Sequence, residues 1–235
     1  MTDKEERKMR VALLVPSSNT VMENDLHAAL PKVRFSIHTG RMFLVETTRE
    51  AEIRMIEDHA PKAADDLATA RPDVLVFGCT SAGSLFGLDY DRKVCAELGR
   101  RAGCRTIGVI SAVNEALHRL GSRRLAVITP YNEDLTNAVA TAAASPHRAV
   151  VAAHGMGITD NVALADPTPA EIVAFARAKL DTATFDGLFV SCTNFRAYEA
   201  IDELRRTFRV PVATSNSATI ETIERLAAGD LLEFR

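Results

Sequence analysis

The chain predicts an α/β protein built twice over: two parallel four-stranded sheets, each flanked by helices, in two related halves. Three observations lead there. Apolar runs of strand length alternate with helical stretches along all 235 residues, a pattern that implies parallel pairing through right-handed crossovers. The segment Val74-Leu75-Val76-Phe77-Gly78-Cys79-Thr80-Ser81 returns as Gly187-Leu188-Phe189-Val190-Ser191-Cys192-Thr193-Asn194. Its neighbours return with it, in the same order.

The first strand falls near 10–15, where Arg10-Val11-Ala12-Leu13-Leu14-Val15-Pro16 is echoed by Arg124-Leu125-Ala126-Val127-Ile128-Thr129-Pro130. A helix near 20–30 leads to a strand at 33–38, and Phe35-Ser36-Ile37-His38 is matched by Val150-Val151-Ala152-Ala153-His154. Helical patterning over 49–70 precedes the cysteine strand at 73–78, whose continuous apolar run marks a strand buried on both faces. Then come a helix over 83–102, a strand at 105–110 and a helix at 112–120, with Gly103 and Gly121 placed as helix C-caps. The second half repeats the series: strands near 123–129, 149–154, 186–191 and 210–214, and helices near 132–144, 169–183, 194–207 and 217–227. Pro167 and Pro169, with Glu171 in the first turn, mark the start of the 169–183 helix. The expected sheet order is 2-1-3-4 in each half. The expected lobes are 1–112 plus 216–235 and 113–215, with the last helix crossing back to the first lobe. Residues 1–8 and 231–235 are expected to be loosely held.

Composition narrows the function classes. A formal net charge of −3 with mixed signs gives no basic stripe for nucleic acid. No stretch approaches the roughly 18 apolar residues of a membrane helix, and the charged first ten residues lack a signal peptide's apolar segment. Four cysteines in a chain this long do not make a disulfide scaffold, so a cytoplasmic setting is expected. Neither a C-x-x-C motif nor a Cys/His cluster suggests a metal, and no cofactor motif stands out.

Chemistry is expected where each cysteine leaves its strand, because ligands of open α/β sheets bind beyond the carboxyl ends of strands. Cys79 and Cys192 would each enter a helix, a position that lowers a thiol pKa and attracts anions. A thiolate on one face of a substrate, with a neutral thiol on the other, can racemise, isomerise or protonate without a cofactor. Thr80, Ser81 and Thr193 supply donors for a carboxylate. The polar loops after the first strand of each half, Pro16-Ser17-Ser18-Asn19-Thr20 and Pro130-Tyr131-Asn132-Glu133, would line the same cleft, which adds Ser17, Asn19 and Tyr131. Asn161, at the end of a third long loop, reads equally as a turn residue or a ligand. Cys95 and Cys104 lack this context: Cys95 reads as a core residue and Cys104 as part of a turn before a strand, while His38 and His154 read as structural.

The duplicated cysteine strands, with Val15-Pro16-Ser17-Ser18-Asn19-Thr20 and the following Met22-Glu23, resemble the aspartate/glutamate racemase superfamily. Within it they resemble the branch of maleate cis–trans isomerases and arylmalonate decarboxylase. The resemblance implies two flavodoxin-like lobes with the active site between them, a small carboxylate or dicarboxylate substrate and a homodimer. It makes Cys79 the nucleophile, Cys192 the second catalytic cysteine, and Asn19, Tyr131 and Asn161 substrate ligands. Thr80-Ser81 departs from the isomerase pattern and is similar to the dioxyanion hole of the decarboxylase, which however has glycine at the position of Cys79. Maleate-to-fumarate isomerisation is the first expectation. An amino-acid racemase, an arylmalonate-type decarboxylase and a non-catalytic carboxylate binder are the alternatives.

Overall fold

A computed structural model of the protein describes residues 7–230. The expectation of loose ends therefore falls mostly on residues outside this range; within it, Arg7 ion-pairs with Asp73 at 2.5 Å.

Two four-stranded parallel sheets form, with orders 2-1-3-4 and 6-5-7-8. The first contains β1 (Met9–Pro16), β2 (Phe35–Met42), β3 (Val74–Phe77) and β4 (Arg105–Gly108); the second contains β5 (Arg124–Thr129), β6 (Ala149–Gly155), β7 (Gly187–Val190) and β8 (Val212–Thr214). The central strands are the ones the sequence writes as unbroken apolar runs. Leu13, Leu14, Phe77 and Phe189 are fully buried, and each such side chain is worth roughly 1.5–3 kcal/mol of burial.

Helices cover both sheets. In the first half they are α1 (Met22–Ala29), α2 (Arg49–Arg54), α3 (Ala60–Ala68), α4 (Thr80–Ser84), α5 (Leu88–Ala102) and α6 (Val109–Arg119). In the second half they are α7 (Glu133–Ala143), α8 (Pro169–Leu180), α9 (Ala197–Phe208) and α10 (Ser215–Ala227). Thr168 closes a capping box with Glu171 at the start of α8. Gly103, in the left-handed conformation, ends α5.

Three boundaries differ from expectation. The 49–70 helix is interrupted by a π-helical turn at Met55–His59, a local widening that periodicity does not register. The 83–102 helix is two helices broken at Gly87, whose φ of +82° favours glycine. The strand expected to reach 110 stops at Gly108, because Val109 and Ile110 already belong to α6.

That junction is shaped by Asp91. Its fully buried carboxylate accepts 2.5 Å from Ser111 Oγ, in the first turn of α6, and a side chain at Gly108 would overlap it. Burial, only partly offset by Ser111, raises its pKa to about 6. On α1, burial likewise raises Asp25 to about 6; Asn216 of α10 donates to it at 2.7 Å and ties the last helix to the first half. A carboxyl with a higher pKa folded than unfolded holds more protons when folded, so its contribution to stability is present below about pH 4 and is lost as pH rises through 6. Urea unfolding should therefore show stability falling between about pH 4 and 7, by roughly 3 kcal/mol from Asp91 alone. Asp91→Asn should flatten that decline.

Candidate active site

The carboxyl ends of β1, β3, β5, β7 and β8 face one another, and each delivers polar residues to a common buried region. Gly78-Cys79 follows β3, and Cys79 is the residue from which α4 starts. Ser191-Cys192 follows β7. Cys192 has a φ of +105°, a conformation rare for a side-chain-bearing residue and costing of order 1–3 kcal/mol. Its N–H donates 3.0 Å to Ser215 Oγ at the end of β8, and its Sγ accepts 3.2 Å from the Asn194 N–H. Tyr131, after β5, lies beside the same sulphur and is coupled to its titration.

The two thiols lie close enough to feel each other electrostatically, and Tyr131 feels both. All three are sealed: Cys79 is 5% exposed, Cys192 3% and Tyr131 1%. Burial dominates their titration. It pushes the Cys79 thiol well above its ordinary 9.0, with the neighbouring Glu52 carboxyl adding to the rise. It pushes Cys192 up to about 12 despite the opposing influence of Tyr131 and the Asn194 N–H. Only Cys79 starts a helix; Cys192 leads into a turn, since α9 begins at Ala197, and the expectation that a helix N-terminus would lower these thiols is overturned. A five-residue α4 and the Ala82 N–H do favour a thiolate at Cys79, but desolvation outweighs them.

A ring of hydrogen bonds from both halves encloses the sulphurs. Asn19 accepts from the Val21 and Met22 N–H groups at 3.1 and 3.0 Å and donates to Thr193 Oγ1 at 3.1 Å. Thr193 donates across to the Gly78 carbonyl at 3.0 Å, and Asn194 accepts from the Thr20 N–H at 2.8 Å. Thr80 donates to Ser215 Oγ at 2.8 Å. Over this ring, residues 43–48 meet residues 158–161. Asn161 donates to Ser18 Oγ at 2.7 Å, accepts from Thr47 Oγ1 at 2.8 Å, and gives its N–H to the Val45 carbonyl at 2.9 Å. Beside them Arg49 bridges to Asp134 of the second half at 3.1 Å.

The comparisons with known proteins agree with this architecture. A family model described as arylmalonate decarboxylase matches residues 11–232. The chain belongs to the arylmalonate decarboxylase family. A maleate isomerase of Geobacillus stearothermophilus is 26% identical over 92% of this chain and 91% of its own. One from Pseudomonas putida KT2440 is 29% identical over 94% and 92%. Among solved structures, a variant of the Pseudomonas putida S16 maleate isomerase with maleate superposes with a TM-score of 0.87 at 26% identity, covering 94% of this chain and 93% of that one.

In this family member, Cys79, Cys192, Tyr131, Thr80, Ser81, Asn19 and Thr193 all reach the enclosed region, and Asn161 closes it from above. Ser17 does not reach the sulphurs: its hydroxyl exchanges hydrogen bonds with the Leu44 backbone at 3.0 and 3.3 Å. The hydroxyl protons of Thr80 and Ser81, expected to face a carboxylate, are directed to Ser215 and to Glu52.

Two residues of the region escaped sequence reading. Ser215 follows β8 in the polar run Thr214-Ser215-Asn216-Ser217, a strand-end position with the same warrant as Asn19. Glu52 is wholly buried on α2 beneath Ser81, whose hydroxyl donates to its Oε1. A signal existed: Met55 and Ile56, three and four residues on, are buried on the same helix face, so Glu52 is an acid on an apolar stripe.

Proposed function

We propose that this protein is a cofactor-independent isomerase that converts maleate to fumarate with two cysteines. The observation that carries the reading is the convergence of one thiol from each half on a sealed polar region, where Thr80 and the Cys192 N–H share Ser215 Oγ and Thr193 bonds to the Gly78 carbonyl. The maleate isomerases among its relatives, similar along nearly their whole length, supply the substrate class.

In this reading the Cys79 sulphur, as thiolate, adds to one alkene carbon. The displaced electron pair moves onto the second carbon and its carboxylate. Cys192, kept neutral by burial, gives its proton to that carbon, and the former double bond is now free to rotate. The Cys192 sulphur then takes a proton back, the alkene re-forms as the trans isomer, and the Cys79 thiolate leaves. Tyr131 steadies the transient charge on Cys192, while the second amide hydrogens of Asn19 and Asn161 orient the carboxylates.

A decarboxylase reading draws on the family's namesake and on Thr80-Ser81. It needs one thiol to protonate a carbanion and leaves the second without a task, whereas isomerisation uses both. Incubation with maleate, followed by ultraviolet absorbance and proton NMR, should show fumarate accumulating without any added cofactor. Inertness toward maleate, with carbon dioxide released from an arylmalonate or deuterium washed into the α-position of an amino acid, would replace this reading with a decarboxylase or a racemase.

A further inference from the structure

A thiol whose pKa lies well above 9 is almost wholly protonated near neutrality, so a nucleophilic Cys79 needs a place to send its proton. The side chains beside it supply one. Ser81 Oγ lies 3.7 Å from Cys79 Sγ and donates to Glu52 Oε1. Serine has a single hydroxyl proton. Once Glu52 is ionised that proton is committed to it, and the hydrogen between sulphur and Ser81 is then the thiol's own. The second Glu52 oxygen is buried without a hydrogen-bond partner, an arrangement that a purely structural role does not explain.

We propose that Glu52 is the terminal acceptor of the Cys79 proton, reached through the Ser81 hydroxyl. In one state a Glu52 carboxylate accepts from Ser81, which accepts from the Cys79 S–H. In the other, the thiol proton has passed to Ser81 Oγ, the serine proton has passed to Glu52 Oε1, and the sulphur carries the charge. Each atom loses what its neighbour gains, and the net charge of the region is unchanged. When Cys79 departs from substrate as thiolate, the chain runs in reverse.

The electrostatic surroundings suit such an exchange. Burial raises the Glu52 carboxyl to about 8, against the opposing pull of Ser81 and Arg49, with Asp134 of α7 adding to the rise. The carboxylate that accepts the proton therefore forms as pH rises through about 8, below the range in which the more basic Cys79 thiol ionises unaided. Arg49 and Asp134 stay charged across this range, while Cys192 and Tyr131, which also face the region, stay neutral because burial raises both.

This inference rests on Cys79 acting as the nucleophile, as in the isomerase reading, but its test requires no substrate. The rate of Cys79 alkylation by iodoacetamide is measured against pH in the full chain, by mass spectrometry of the peptide containing Cys79. In wild type, reactivity should rise as the Glu52–Cys79 pair first ionises. Glu52→Gln keeps the shape and removes the acceptor, so reactivity at pH 8.5, where wild-type Glu52 is ionised, should fall at least roughly tenfold and recover only at higher pH. A Glu52 that acts merely as a neighbouring negative charge gives the opposite sign, since its removal would ease thiol ionisation and speed alkylation. Ser81→Ala should reproduce the loss, and the double variant should be no slower than either single one. Unchanged or faster alkylation in Glu52→Gln, or an unaffected profile in Ser81→Ala, overturns the proposal. The predicted profiles without any turnover of maleate would uphold the relay and remove the isomerase reading instead.

Discussion

Cys79→Ala is expected to lower fumarate formation from maleate by about 10⁴-fold or more, with little loss of stability. Without addition of sulphur the alkene keeps its double-bond character, and nothing else in the region can supply a saturated intermediate about which to rotate. Nucleophile removal in enzymes that depend on covalent catalysis produces losses of this order. The side chain is small, and its deletion should cost about 1–2 kcal/mol in folding. Parallel measurement of turnover by ultraviolet absorbance and of stability by urea unfolding separates the two effects. A variant that retains even a tenth of wild-type turnover would assign the nucleophile elsewhere.

The second large effect is expected at Cys192. Cys192→Ser should reduce turnover by roughly 10²–10⁴-fold while Cys79 accumulates a covalent adduct with the added mass of maleic acid. A serine hydroxyl occupies nearly the same volume but is a far weaker acid than a thiol. Protonation of the intermediate then falls to slower donors, and no base is placed to take the proton back, so the saturated thioether persists. The strained backbone is the same for both residues, since cysteine already holds a φ of +105°. Intact-mass and peptide-mass analysis after exposure to maleate checks the outcome. Rapid turnover with no adduct would dismiss Cys192 as the proton carrier.

Much of the architecture was legible before coordinates, for identifiable reasons. Parallel strands buried on both faces leave unbroken apolar runs, and Val74–Phe77 and Gly187–Val190 are such runs; their duplication exposes the two-fold design. Strand ends are visible in the same way, so residues immediately beyond them, Cys79, Tyr131 and Cys192 among them, could be named. Glu52 could not be placed so readily, because its role depends on a helix turning it beneath Ser81, a contact between residues 29 positions apart. The thiol pKa values were misjudged for a related reason. Position at the start of a helix is written locally, whereas the desolvation that outweighs it is the sum of every atom packed around the sulphur. The pairing of Asn161 with Ser18 and Thr47 likewise belongs to the meeting of two loops, which neither loop announces alone.

That meeting sets a mechanical condition on turnover. Sulphurs so thoroughly covered admit a molecule the size of a four-carbon diacid only after part of their cover opens, and the contacts of Thr47 and Asn161 with Ser18, Val45 and Thr159 belong to that cover. Whatever opens must close again to expel water before sulphur meets carbon, then yield again to release product. Gating of this kind commonly takes microseconds to milliseconds. The throughput of the protein thus has a ceiling set by a door with several latches, and thickening the solvent would slow it even with every thiol intact.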